Sequence, residues 1–312
     1  MNYIVFDLEW NQSPDGKAHE NKRLPFEIIE IGAVKLNENR EIVDYFQRLI
    51  KPQVYHWIQD SIHEVIHVDY KDLADGAPFP EVIREFFAWC GEEYLFFTWG
   101  NQDLTELQRN MNFYNLLSLL KGPVSYYDVQ KIYGLSYADG EHRALESAVE
   151  HLQIRKQLDF HRAMADAYYT ACVLGRLEPD CIKEHPSLDV YQNPKSKREE
   201  VHLSFPLWDK YVTREFHARE KVIRDREVVT VRCPVCHCLA KRRVRWFMNN
   251  ARVYYSLSSC REHGFIEGKI RIRRTETNRY FAVKKLMCVD GEEAERIRSK
   301  HAALRKKRAA AE

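Results

Sequence analysis

Asp7 and Glu9 stand two residues apart in YIVFDLEW, where the apolar run Tyr3–Leu8 reads as a buried strand. Strand side chains alternate between faces, so residues at i and i+2 share one. Both carboxylates therefore point the same way, and two acids side by side repel. Divalent cations relieve such repulsion. Asp103 follows the apolar run Tyr94–Thr98, and Asp166 lies inside a helical pattern over Phe160–Leu174. Oxygen ligands in this number suit Mg²⁺ or Mn²⁺ rather than zinc. Two such ions about 4 Å apart clamp the attacking and leaving oxygens of an in-line phosphoryl displacement. His161, five residues before Asp166, can take a proton from the attacking water, since histidine titrates near working pH. Plainer readings exist for each group. Asp103 could cap the helix that begins at Leu104, and Asp166 and His161 could sit on a solvated helix face. His142 has Ser147 five residues on instead of an acid, so it is expected at the surface. Glu27 and Glu30 are expected to be structural.

A second group of residues has different chemistry. Cys233-Pro234-Val235-Cys236 is a CxxC knuckle, and Cys260-Arg261-Glu262-His263 is a CxxH half-site, with 23 residues between Cys236 and Cys260. This spacing fits one tetrahedral structural Zn²⁺ held by Cys233, Cys236, Cys260 and His263, as in zinc ribbons. His237 and Cys238 are spare candidates. A redox pair, reduced core thiols, or a zinc-dependent hydrolase are the competing readings. The remaining thiols, Cys90, Cys172, Cys181 and Cys288, read as reduced core residues. Around the knuckles, cations interleave with aromatics: Lys241-Arg242-Arg243, Arg245-Trp246-Phe247, Tyr254-Tyr255 and Arg271 to Arg274. That mixture suits a single nucleic-acid strand, with phosphates on cations and bases on rings. Arg243, Arg245 and Trp246 are the expected contacts, although a basic zinc module could also bind a protein or nothing.

The elements that must position these groups follow from pattern. Strands are predicted over Tyr3–Leu8, Glu27–Leu36, Glu41–Ile50, Tyr94–Thr98 and Val124–Tyr127. Helices are predicted over Pro80–Cys90, from Leu104 through Met111, and over Ala144–His151 and Phe160–Leu174. Gln53–Ala77 reads as irregular or weakly helical. The order makes a mixed five-stranded sheet with an antiparallel edge, flanked by helices, rather than a doubly wound parallel sheet. Residues 181–200 read as a linker between a first domain, 1–180, and a second, 201–312, that ends in a charged helix over Glu292–Glu312. Charge divides the same way. Residues 1–180 carry 17 basic and 29 acidic residues, and residues 181–312 carry 31 and 17, within a chain of net charge +2. A basic half favours polyanions. No apolar run approaches the roughly 18 residues of a membrane span, and a cytoplasmic protein is expected.

Phe6-Asp7-Leu8-Glu9, Trp99-Gly100-Asn101-Gln102-Asp103 and His161-x4-Asp166 resemble, in order, the three motifs of the DEDDh exonucleases. EIIEIGAVKL between them resembles the Eri-type, histone-mRNA-exonuclease-like branch. The resemblance covers roughly residues 1–177 and implies a ribonuclease-H-like fold. It implies Asp7, Glu9, Asp103 and Asp166 as ligands of two Mg²⁺ or Mn²⁺ ions, with His161 as general base. It implies release of nucleoside 5′-monophosphates from a 3′ end, and favours RNA over DNA because that branch acts largely on RNA. Trp10 and Asn11 would lie against the terminal nucleotide, Trp10 either stacking on a base or packing in the core. The second domain resembles no particular family. A non-catalytic nucleic-acid-binding or regulatory protein on a nuclease fold is the alternative, which an intact acid set disfavours.

Overall fold

The computed structural model describes residues 1–57, 70–138 and 140–309, which divide into two compact units, Met1–Gln192 and Asn193–Glu312. The first is built on one sheet of seven strands: β1 (Asn2–Gln12), β2 (Phe26–Leu36), β3 (Ile42–Lys51), β4 (Ala77–Pro78), β5 (Tyr94–Thr98), β6 (Val124–Asp128) and β7 (Ser187–Asp189). They lie in the order β4-β3-β2-β1-β5-β6-β7. β1 pairs parallel with β5 and antiparallel with β2, and β2 pairs antiparallel with β3. This is the expected mixed, ribonuclease-H-like sheet, with two short edge strands added.

Alternation along β1 sorts the core. Ile4, Phe6 and Leu8 pack on one face beneath α1 (Phe79–Cys90) and α2 (Gln102–Phe113). Val5 faces the other side, with α3 (Val129–Tyr137), α4 (Leu145–His151) and α5 (Ala163–Arg176). Asp7 and Glu9 continue the Val5 series, so they face α5.

One expectation is corrected. The segment 181–200 is not a linker throughout. It contains the end of the helix Pro179–Glu184 and the strand β7, which pairs antiparallel with β6. Asp189 accepts hydrogen bonds from Thr105 (2.9 Å) and Gln108 (2.6 Å), and Leu188 is buried, so a polar stretch is anchored as part of the first unit. Helix α3 was not foreseen, because Gly134 and β-branched or aromatic residues weaken its propensity. Its start is fixed by Asp128, which accepts the Lys131 N–H at 2.9 Å. Of Gln53–Ala77, residues 58–69 lie outside the described residues.

The second unit is a six-stranded antiparallel sheet in the order β10-β11-β12-β13-β9-β8. The strands are β8 (Val201–Ser204), β9 (Trp208–Val212), β10 (Lys241–Met248), β11 (Val253–Cys260), β12 (Gly264–Arg274) and β13 (Tyr280–Val289). The C-terminal helix, Gly291–Ala309, docks Ala294 and Ile297 onto Val244, Phe247 and Leu257. A separate cluster of Tyr211, Phe216, Val222, Val228, Ile270 and Ala282 includes residues of two short helices, Arg219–Arg224 and Arg226–Val229.

Candidate active site and metal-ligating groups

The carboxylates expected to converge do so. Asp7, Glu9 and Asp166 each bring an oxygen within 4.8 Å of the others. Asp103, 5% exposed, reaches across from the first turn of α2 and accepts the Leu8 N–H at 3.3 Å. Its carboxylate therefore lies against the backbone between Asp7 and Glu9, which a helix cap alone would not require. Gly100, at φ +99°, makes the left-handed turn that leads from β5 into α2. Asp166 depends on another glycine. Gly32 pairs with Asp7 across the ladder, and a Cβ there would collide with the backbone of Ala163 and Met164. Only a bare backbone lets the start of α5 sit this close to the sheet.

The four acids crowd together with Arg162 as the cation that acts on Glu9, and the electrostatics reflect that. Burial pushes Asp7 well above the usual carboxylate range, reinforced by Asp103, Glu9 and Asp166. Burial, then Asp166 and Glu30, raises Glu9 to about 8. Asp103 rises to about 7 through burial, partly offset by the N–H groups it accepts. Asp166 rises to about 6, again chiefly by burial. Asp166 Oδ1 is buried with no hydrogen-bond partner. A buried oxygen left unpaired among like charges is what a cation would satisfy, so the donor set fits hard divalent ions.

His161 stands just before α5 with its backbone in the left-handed region, φ 64°. Its N–H donates to Asp166 Oδ2 at 3.3 Å, and its side chain is exposed. The next residue, Arg162, grips Glu30 through two hydrogen bonds of 3.0 and 3.1 Å. Glu30 is 1% exposed, pairs with Glu9 across the ladder, and also accepts Gln47 at 2.9 Å. Glu30 is structural, as expected, and Arg162 is its partner. Together they anchor the residue beside His161. His142, as expected, is exposed, bonding Gln130 at 3.0 Å.

One proposed contact near this crevice is corrected. Asn11 is fully buried, and its amide donates to the carbonyls of Tyr55 (3.3 Å) and Trp57 (2.8 Å). Glu27 accepts the N–H groups of Gln53, Val54 and Tyr55 at 2.6, 3.0 and 2.8 Å. Asn11 and Glu27 thus clamp the segment after β3. Trp10, half-buried, packs against the core and beside Phe26, ring centroids 5.9 Å apart. The aromatic left open on the clamped segment is Trp57, 74% exposed, which the sequence reading did not single out. Trp99 packs beside Tyr133 and donates to the Arg143 carbonyl.

In the second unit, Cys233, Cys236, Cys260 and His263 come together with all four ligand atoms within 4.8 Å of one another. The separations Cys233 Sγ–His263 Nδ1, Cys236 Sγ–Cys260 Sγ and Cys260 Sγ–His263 Nδ1 are each 3.6 Å. Ligands about 2.0–2.3 Å from a tetrahedral zinc would lie roughly 3.5–3.8 Å apart. His237 adopts φ 56° and donates its N–H to the Cys233 carbonyl, closing the first knuckle. The second is the β11–β12 turn, where backbone N–H groups of Glu262 and His263 pull the Cys260 thiol down to about 6. His237 and Cys238 stay outside the quartet. Arg243 and Arg245 are exposed on the edge strand β10. Trp246 is corrected as a substrate contact: its ring lies against Gly268 and its N–H donates to the Val229 carbonyl at 2.8 Å.

A model of the RNase T family, described as an exonuclease, matches residues 4–174, more than half of the chain. Among solved structures, the nuclease domain of 3'hExo, a DEDDh family member bound to rAMP, is 18% identical, with 60% of this chain and 96% of that one covered at a TM-score of 0.51. A full-length 3′-exonuclease is 20% identical, with 58% and 83% covered and a TM-score of 0.48. Exonuclease I of E. coli, in complex with a dA16 oligonucleotide, is 16% identical, with 58% and 42% covered and a TM-score of 0.45. The likeness to 3'hExo is one of fold. No curated protein matches the chain. Among the described residues, no helix is long and apolar enough to cross a membrane.

Proposed function

We propose that this chain, which belongs to the RNase T exonuclease family, is a DEDDh-type 3′→5′ exonuclease that shortens single-stranded nucleic acid, RNA ahead of DNA, by a two-metal mechanism. Asp7, Glu9, Asp103 and Asp166 would hold two Mg²⁺ or Mn²⁺ ions, and nucleoside 5′-monophosphates would leave. The observation that carries this is the meeting of Asp7, Glu9 and Asp166 within 4.8 Å, with Asp103 bonded to the strand between them.

Bound ions supply Lewis-acid charge against the negative charge that develops in phosphoryl transfer. The protein's own groups do the rest. The four carboxylates are fixed from three elements and crowd one crevice, so the site is preorganised for cations before substrate arrives. His161 presents its imidazole to solvent and takes the proton of the attacking water. Its backbone is pinned on one side by Asp166 and on the other by the Arg162–Glu30 pair. Trp57, exposed on its clamped segment, is our candidate for stacking on a base.

In the second unit, Cys233, Cys236, Cys260 and His263 would hold one structural Zn²⁺, a closed set with no open position for catalysis. Arg243 and Arg245 on the sheet edge would hold phosphates. RNA preference is supported by the resemblance of EIIEIGAVKL to an RNA-acting branch, and by the rAMP bound to the 3'hExo domain. The quartet's thiols suit a reducing compartment such as the cytoplasm.

The test uses matched RNA and DNA strands labelled at the 5′ end, with Mg²⁺ or Mn²⁺. The expected product is a ladder receding one nucleotide at a time from the 3′ end, faster on RNA, and absent with Asp7→Ala. Internal cuts, a ladder from Asp7→Ala, or faster loss of DNA would contradict the proposal.

A further inference from the structure

The second unit holds a cavity of about 630 Å³ that the exonuclease site does not use, within the size range of small-molecule pockets. Its floor is one face of the sheet. Register lines up His202, Tyr211 and Lys284 across β8, β9 and β13, with Ser204, Asp209 and Leu286 in the row two residues away. Residues two apart on a strand share a face, so the six form one patch. The wall is the short helix Arg226–Val229 and the chain beyond it to Arg232.

The patch offers three kinds of contact. His202 lies parallel on Tyr211, ring centroids 4.1 Å apart and planes 16° apart. Tyr211 is fixed by Glu200 at 2.8 Å, and His202 remains exposed. Lys284 is 6% exposed and donates to the carbonyls of Glu227 (3.1 Å) and Thr230 (2.6 Å). An ammonium has three protons, so one remains to give. Burial pushes this lysine down to about 8, in keeping with a cation held largely out of water. Asp209 Oδ1 is buried with no hydrogen-bond partner. A buried donor and a buried unsatisfied acceptor on one floor are costly unless something polar comes to meet them. The acids of the wall are already engaged: Asp225 with Arg214 at 3.1 Å, and Glu227 with Lys197 at 3.4 Å and with the edge of His202 at 3.9 Å. Arg226 and Arg232 are exposed at its rim.

We propose that this cavity binds one nucleotide of a single strand. The base would stack on the open face of His202, giving an N–H to Asp209 and accepting from Lys284, with its phosphate at Arg226 and Arg232. A flat ring, a donor–acceptor edge and a phosphate match the three contacts in turn.

The test is calorimetric titration of the full-length Asp7→Ala protein with 5′-AMP, 5′-UMP and inorganic phosphate, in buffer free of Mg²⁺ and Mn²⁺. The carboxylate site then lacks an acid and its ions, so failure here is distinguishable from failure of the exonuclease proposal. Nucleotides are expected to bind at least about tenfold tighter than phosphate, the worth of one stacked base. His202→Ala, which removes an exposed ring, and Arg232→Gln should each weaken nucleotide binding about tenfold, and Lys284→Met by at least as much. The first two variants keep the test independent of whether Lys284→Met folds. Phosphate binding as tightly as nucleotide, or unchanged nucleotide affinity in His202→Ala, would overturn the proposal.

Discussion

Among the described residues, two of the side-chain clusters that could hold a metal, the carboxylate crevice and the Cys/His quartet, differ in kind. At the carboxylate crevice, four acids lie close together, and burial, reinforced by the neighbouring acids, raises Glu9 to about 8 and Asp103 to about 7. At the Cys/His quartet, two knuckles set their ligand atoms 3.6 Å apart along three edges, with backbone N–H groups already stabilising the Cys260 thiolate. The first is a repulsive set held together by the surrounding fold. The second is compact, and its four ligands would fill the coordination shell of one ion. A site that works on substrate must leave room at its metal, whereas a site that holds a fold must not.

The largest expected effect that separates them is on turnover. Asp7→Ala should lower kcat by about a thousandfold or more, the order seen when a key electrostatic group is removed. Removing one of several repelling charges should also raise the melting temperature of the Mg²⁺-free protein. Lost activity accompanied by lost stability would place Asp7 in the framework instead.

Cys233→Ser should have the opposite signature. Zinc content, measured by metal analysis, should drop from one per chain to none, and the second unit should lose its cooperative melt, since structural zinc binding is folding energy. The two units have separate cores, so hydrolysis of a small phosphodiester should stay within about twofold. Degradation of a long strand should fall much further. An equal loss on both substrates would revive the zinc-hydrolase reading.

Arg162→Lys is expected to act more mildly. Lysine cannot reproduce the two-pronged grip on Glu30, so His161 should lose definition and kcat should fall about tenfold with KM little changed. A change confined to KM would assign Arg162 to substrate binding.

Smallest is the response to pH. A carboxylate whose pKa is raised by folding keeps a proton that the unfolded chain has already released. Stability of the Mg²⁺-free protein should therefore fall as pH rises from about 4, the usual carboxylate value, through 6, 7 and 8, where Asp166, Asp103 and Glu9 titrate in the fold. The melting temperature should be a few degrees lower at pH 8 than at pH 5.5. Mg²⁺ should restore more of it at the higher pH, and Glu9→Gln should flatten the slope. A slope of the opposite sign would mean that the acids are neutralised by something other than metal.

The side chains that converge in each unit were legible in the sequence, Asp103 and Asp166 through the family resemblance and the others through their spacing. Asp7 and Glu9 share a strand face by period, and CxxC and CxxH close knuckles locally. What supports them was harder to see, because it depends on contacts between distant residues. Gly32 reads as one small residue in an apolar strand until α5 is laid against it. Glu30 and Arg162 are 132 positions apart. Asn11 and Trp246 have the composition of binding residues, yet their polar atoms are engaged by neighbouring backbone carbonyls. The strand β7 was hidden in a stretch whose polarity resembles a linker but whose Asp189 is held by α2.

The most direct test of the difference between the two regions is anomalous diffraction from crystals grown with Mn²⁺. Two manganese peaks about 4 Å apart, bounded by Asp7, Glu9, Asp103 and Asp166, with zinc alone at Cys233, Cys236, Cys260 and His263, is the result expected. Manganese absent from the carboxylates, or bound by only one of the four, would contradict it.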